Sequence, residues 1–260
     1  MRRPTHFEKA AVLFLLSSVL LPVAQAQTGA AVSRESVPAV SRSTASPARF
    51  IRAFVVDNRL SALRREPDVR SQLVQRLRAG RQIFILGLKS GKNNQPEFYR
   101  VAVSRRTRGW LHRSSVAVPH RAGEVERVLR LAEAADSGID RILLCRLLID
   151  HFNRSPLIAR AMLKLGEEAE RASVSLSARA RRRVAGLAGD DHGARDYYLN
   201  DSGLDRYSRL GVRFDFDEAA ARYVYDGQAY RDIIRRFPKS PEAAIARERL
   251  EKKAPRRPEG

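Results

Sequence analysis

The chain has 260 residues, with 49 Lys or Arg against 29 Asp or Glu, a formal net charge of +20. Cys145 is the only cysteine, which excludes an intramolecular disulfide, and it sits in the apolar run RILLCRLLI as expected of an inert buried thiol. Such a charge ordinarily suggests nucleic acid, but the N-terminus directs the reading elsewhere.

Residues 1–26 follow the three-part layout of a secretory signal peptide. A charged start, MRRPTHFEK, precedes the apolar residues 10–23, in which only Ser17 and Ser18 are polar. Ala24-Gln25-Ala26 then offers a cleavage site after Ala26. The apolar stretch falls short of the ~20 residues that a membrane span needs, and no later segment is long and apolar enough to span. Removing residues 1–26 leaves 46 basic and 28 acidic residues. A periplasmic or secreted chain is therefore expected, whose acidic partners are lipid head groups, wall polymers or acidic proteins rather than nucleic acid. The alternative is an arginine-rich surface that is only solvated.

Residues 27–48 are rich in Ser, Ala and Val with two prolines and no sustained period, and read as a flexible linker. Short strands follow over 49–118: RFIRAFVV and RQIFILGL are β-branched and aromatic, and EFYRVAV alternates. Turn signals lie at Asp57-Asn58, Arg65-Glu66-Pro67, Gly91-Lys92-Asn93-Asn94 and Arg108-Gly109. Gly109 is expected to supply a positive φ for a hairpin. Trp110, the only Trp, is expected either to close the core or to offer its ring to a ligand. Ile83, Ile85, Val101 and Val103 alternate as an interior requires.

From Gly123 the period changes to that of helices. EVERVLRLAEAA places Val125, Val128, Leu129 and Ala132 on one face. DRILLCRLLIDHF follows, with Asp140 as N-cap, and LIARAMLKLGEEAERA and SARARRRVAGLA read as two further helices. Over 189–226 the helical signal fades; VRFDFD and ARYVYDG suggest a small hairpin or an irregular cover. QAYRDIIRRF and PEAAIARERLEKKA restore two helices, and the residues after 255 should fray. One motif recurs 85 residues apart: Phe152-Asn153-Arg154-Ser155-Pro156 and Phe237-Pro238-Lys239-Ser240-Pro241, followed by the alanine pairs Ala159/Ala161 and Ala244/Ala246. A helix that ends on Phe and a Ser-Pro pair that starts the next one make a helical hairpin.

Residues 60–118 resemble a bacterial Src-homology-3-type domain. The carriers, in the family's order, are Leu60-Ser61-Ala62-Leu63-Arg64 with Pro67, Ser71-Gln72-Leu73-Val74, Leu77-Arg78-Ala79-Gly80, Phe98-Tyr99-Arg100-Val101 and Thr107-Arg108-Gly109-Trp110-Leu111. The segment Tyr230-Arg231-Asp232-Ile233-Ile234-Arg235-Arg236-Phe237-Pro238-Lys239-Ser240-Pro241 is similar to the tetratricopeptide-type helices of envelope assembly proteins, although the 85-residue interval departs from their ~34-residue period. Together these readings predict an α+β multidomain chain: a small antiparallel Src-homology-3-like β-barrel over 49–118, then an all-α helical-hairpin region over 123–255 with an irregular insert at 189–226.

Chemistry is sparse. His112, His120, His151 and His192 lack metal-ligand spacing, so neither metal nor cofactor is expected. No nucleophile elbow and no phosphate-binding glycine loop occurs. Asp190, Asp191, His192, Asp196, Asn200, Asp201, Ser202, Asp205, Asp215 and Asp217 crowd the insert, where paired carboxylates could perform acid–base work; the same residue types also belong in loops. Charge is the stronger signal: residues 50–118 carry 15 basic and 4 acidic side chains. Arg105, Arg106 and Arg108 beside Tyr99 and Trp110 form an expected recognition face for an anionic peptide or wall polymer. A non-enzymatic binding or scaffold protein of the bacterial envelope, held to peptidoglycan or to an envelope protein as Src-homology-3-type domains often are, is the resulting expectation. A wall hydrolase with carboxylates in the insert is the rival.

Overall fold

Ile83 and Ile85 are buried while Phe84 between them is exposed, and this two-residue alternation governs the first half of the structure. A computed structural model describes residues 50–89, 97–185 and 203–253, all within one compact unit. The signal-peptide and linker assignments, the Gly91-Lys92-Asn93-Asn94 turn, the polar cluster from Asp190 to Ser202 and the tail after 255 lie outside the described residues.

Seven strands form one antiparallel sheet: β1 (Ile51–Val55), β2 (Ala62–Arg64), β3 (Leu73–Arg76), β4 (Gln82–Lys89), β5 (Phe98–Ala102), β6 (Arg108–His112) and β7 (Val116–Ala117). They pair in the order β3-β2-β6-β5-β4-β1-β7. The expected closed barrel is not found: among the described residues β3 and β7 are the two ends of an open sheet. Ala53, Val55, Leu63, Ile83, Ile85, Tyr99, Val101, Leu111 and Val116 fill its inner face, with Val103 packed at the margin. Gly80 has a φ of +82° and closes the turn before β4, its N–H donating to the Val55 carbonyl; glycine adopts that φ without Cβ strain.

Gly109 corrects an expectation. It lies inside β6, not at a turn, and its φ is not positive. It is required for close approach instead, since a Cβ there would fall 2.7 Å from the Arg64 carbonyl oxygen and 2.8 Å from Leu63 Cγ.

Among the described residues six α-helices follow: α1 (Glu124–Ala134), α2 (Gly138–His151), α3 (Ile158–Ala185), α4 (Leu204–Ser208), α5 (Gln228–Arg236) and α6 (Pro241–Lys253). Val125, Val128, Leu129 and Ala132 are buried on α1 as their spacing requires. The chain is thus mixed α+β. Helix α2 starts at Gly138, with Ser137 as N-cap and Asp140 in the first turn, so Asp140 is not the cap. Where the sequence suggests two helices, the described residues form one, α3, which runs unbroken from Ile158 to Ala185. Strands β8 (Phe214–Asp217) and β9 (Arg222–Tyr225) form the small hairpin, tied to α3 where the Tyr223 N–H donates to Ser177 Oγ at 2.8 Å.

The repeated motif closes both preceding helices alike, but only the second copy starts the next helix at its Ser-Pro pair: α6 begins at Pro241, whereas α3 begins at Ile158, two residues after Pro156. The N–H of Phe152 donates to the Leu148 carbonyl and that of Phe237 to the Ile233 carbonyl, and each closes its helix. Ser155 N–H then reaches Phe152 O, as Ser240 N–H reaches Phe237 O. Ala161 and Ala246 are both fully buried at helix contacts. Ala159 and Ala244 differ: the first is buried, the second exposed. Helices α2 and α3 pack as one hairpin and α5 and α6 as another, with α3 touching both.

Sheet and helices share a core. Phe54, Val56 and Ala117 cluster with Val128, Leu129, Leu144, Leu148 and Ile158. Arg127 of α1 fastens the same junction: its guanidinium donates to the Ser114 and Val116 carbonyls at 2.8 and 2.7 Å and to Glu124 at 2.7 Å.

Candidate anionic-ligand face

The outward face of β4, β5 and β6 is set by the residues that the inner core excludes. Antiparallel register aligns Arg52 with Phe84, Phe84 with Ala102, and Ala102 with Arg108 in one row across four strands. A second row sets Trp110 between Arg100 and Arg64. Side chains directly opposite one another on neighbouring strands are in contact range, so in each row guanidinium groups flank an apolar centre, Phe84 with Ala102 in the first and Trp110 in the second.

Phe50, Phe84, Leu86, Ala102, Ser104, Arg105 and Arg108 line a groove of about 280 Å³ on this face. Its floor is apolar and open to solvent, with Phe50 65% and Phe84 38% exposed. The β5–β6 turn walls one side. Ser104 Oγ accepts from the Thr107 N–H at 3.0 Å and the Arg106 N–H at 3.3 Å, which fixes the turn and sends Arg105 and Arg106 outward. Among the described residues, Arg52, Arg100, Arg105, Arg106 and Arg108 are exposed and make no ion pair. Asp57, Glu97 and Glu124 are taken instead by Arg59, Arg113, Arg121 and Arg127. Unpaired like charges on one face raise the local potential and draw anions from a distance.

The structure brings together four of the five expected site residues. Arg105 and Arg108 line the groove, Arg106 stands at the turn, and Trp110 lies half-buried on the same outward face. Trp110 does not close the core; its neighbour Leu111, wholly buried, does. Tyr99 is separate. It is 7% exposed on the inner face, and its hydroxyl accepts from Arg121 at 2.6 Å. Sequence reading missed Phe50, Arg52, Phe84, Leu86 and Arg100. The alternation in QIFIL and FYRVA marks their face, but their proximity depends on the pairing of β1, β4, β5 and β6.

Two of the insert's described carboxylates, Asp217 and Asp226, serve its turns. Asp217 accepts from the Ala220 N–H at 3.1 Å and pairs with Arg222 at 3.5 Å. Asp226 accepts from the Gln228 N–H at 2.9 Å at the start of α5. Asp205 lies in the first turn of α4, and Asp215 is exposed on β8. Among the described residues no group of three His, Cys, Asp or Glu is placed to hold a metal ion. Burial pushes the Cys145 thiol up to about 12. His112 and His151 are lowered, first by burial. No helix among the described residues is long and apolar enough to cross a membrane.

No protein-family model matches this chain, and neither a curated protein nor a solved structure matches it.

Proposed function

We propose that the chain is an exported, non-enzymatic binding or scaffold protein of the bacterial cell envelope that recognises an anionic wall component or protein partner through the outward face of β4–β6. The unpaired arginines around the exposed groove carry this reading: Arg52, Arg100, Arg105 and Arg108 flank Phe84 and Trp110 with no acid to neutralise them. Export rests on the layout of residues 1–26. In this reading residues 50–118 serve as a Src-homology-3-like binding unit, and α2–α3 with α5–α6 serve as tetratricopeptide-like hairpins that present it. The rival hydrolase needs convergent carboxylates in the insert, and the local turn bonds of Asp217 and Asp226 favour binding over it.

Cosedimentation of the chain from residue 27 with purified peptidoglycan and with envelope protein extract tests the proposal. Arg105→Gln, Arg106→Gln and Arg108→Gln together should weaken retention at low salt with little change in thermal stability, because exposed charges contribute only about 0–1 kcal/mol per pair. High salt should reduce wild-type retention as well. Equal retention of wild type and the triple variant at low salt would reduce the arginine cluster to a solvated face.

A further inference from the structure

We infer that the groove on this face takes an acidic peptide segment of a protein partner, with an aromatic or branched aliphatic side chain seated on Phe50 and Phe84 and flanking carboxylates held by Arg105 and Arg108. This inference rests on the binding reading above and names the ligand class. A glycan or a phosphate polymer would use the guanidinium groups but would leave the apolar floor wet. Exposed Phe50 and Phe84 form that floor, and covering it with an apolar side chain removes its surface from water, which is favourable. A lipid surface fits the geometry less well. Arg105 and Arg108 line the same groove as Phe50 and Phe84, so cations and apolar groups share one small concave site rather than the separate polar and apolar faces of an element that lies in a bilayer.

Charge complementarity sets the number of acids. Arg105 and Arg108 stand at one side of the groove, and Arg52 lies opposite Phe84 on β1. One carboxylate would leave most of these cations facing one another; an apolar residue with acids on both sides balances them. Forked guanidinium–carboxylate pairing adds geometric selection.

The test uses the chain from residue 27 and three labelled peptides read by fluorescence anisotropy: acetyl-Glu-Glu-Phe-Glu-Glu-amide, the same peptide with Ala for Phe, and the same peptide with Gln for every Glu. Only the first should bind well, and each replacement should cost at least about tenfold, equivalent to about 1.4 kcal/mol. Phe84→Thr, which keeps a strand-forming residue, and Arg105→Gln with Arg108→Gln should each weaken the first peptide about tenfold. Arg130→Gln with Arg154→Gln removes the same charge from exposed helical-region positions and should leave binding unchanged. Equal binding of the Phe and Ala peptides, or loss of binding in the distant charge control, overturns the inference. So does binding of anionic phospholipid vesicles in preference to the first peptide. Arginine-dependent retention on peptidoglycan without peptide binding overturns this ligand class and leaves the broader proposal standing; failure of both arms removes both.

Discussion

The ring of Phe54 lies flat against the imidazole of His151, with centroids 4.0 Å apart and planes 13° from parallel. One residue belongs to β1 and the other closes α2, so the stack joins sheet to helices. Phe54 is 2% exposed, and cutting the chain after residue 118 would strip its cover. A fragment of residues 49–118 is therefore expected to melt well below the full chain.

The stack gives the junction a pH dependence. Burial lowers the His151 pKa from its ordinary 6.5; Arg52 lowers it further, and Asp150 opposes both. The unfolded chain thus takes up a proton at higher pH than the folded chain does, and between the two pKa values stability rises with pH. The contribution is complete above about pH 6.5 and is lost as pH falls through the folded pKa. Melting temperature should drop on acidification from about pH 8 to about pH 5, and His151→Gln should flatten part of that slope, with the likewise lowered His112 supplying another part. Identical slopes in wild type and His151→Gln would contradict the assignment.

Gly166→Ala should destabilise, against the usual sign. Inside a helix that change ordinarily gains up to about 1 kcal/mol. Here the new Cβ would lie 2.4 Å from Tyr230 Cε1 and 2.7 Å from Cζ, and the Tyr230 ring is 1% exposed with no open side to move into. Overpacking of a core costs about 1–3 kcal/mol. Chemical denaturation should show a lower midpoint; a raised midpoint would mean that α3 and α5 separate more easily than their packing implies.

Trp110→Ala and Leu111→Ala should order opposite to side-chain size. Leu111 is wholly buried in the sheet core, and its truncation should cost about 2–5 kcal/mol. Trp110 is half-buried on the other face, so its loss should cost less, about 1–2 kcal/mol when scaled from a buried aromatic. Thermal melts of the two variants give the comparison. A greater loss for Trp110→Ala would place its ring in the core.

Local periods were readable in the sequence and pairing was not. The alternation around Ile83 and Val101 marked strands, and the spacing of Val125, Val128, Leu129 and Ala132 marked α1, because each depends only on near neighbours. The break expected in α3 falls across the serine-rich stretch 173–177. Ser173 Oγ donates to the Glu170 carbonyl and Ser177 Oγ to the Ser173 carbonyl, both at 2.7 Å, so the hydroxyls are satisfied within the helix and it continues. Gly109 was readable as a required glycine but not for its reason, which lies on β2, 45 residues earlier in the chain at Arg64. The site divides the same way. The arginine turn is a feature of the linear chain, whereas the row from Arg52 through Phe84 to Arg108 exists only once β1, β4, β5 and β6 are in register.

An open sheet has two raw margins, and unpaired strand margins invite other chains to add on. The β7 margin is sealed from within: the Val116 carbonyl is already occupied by the Arg127 guanidinium. The β3 margin is guarded differently. Leu73 and Val74 are exposed there, but Arg70 and Arg76 are exposed beside them, and two copies approaching along β3 would bring cation against cation. The excess of arginine thus works against edge-to-edge addition along β3 as well as charging the outward face of β4–β6.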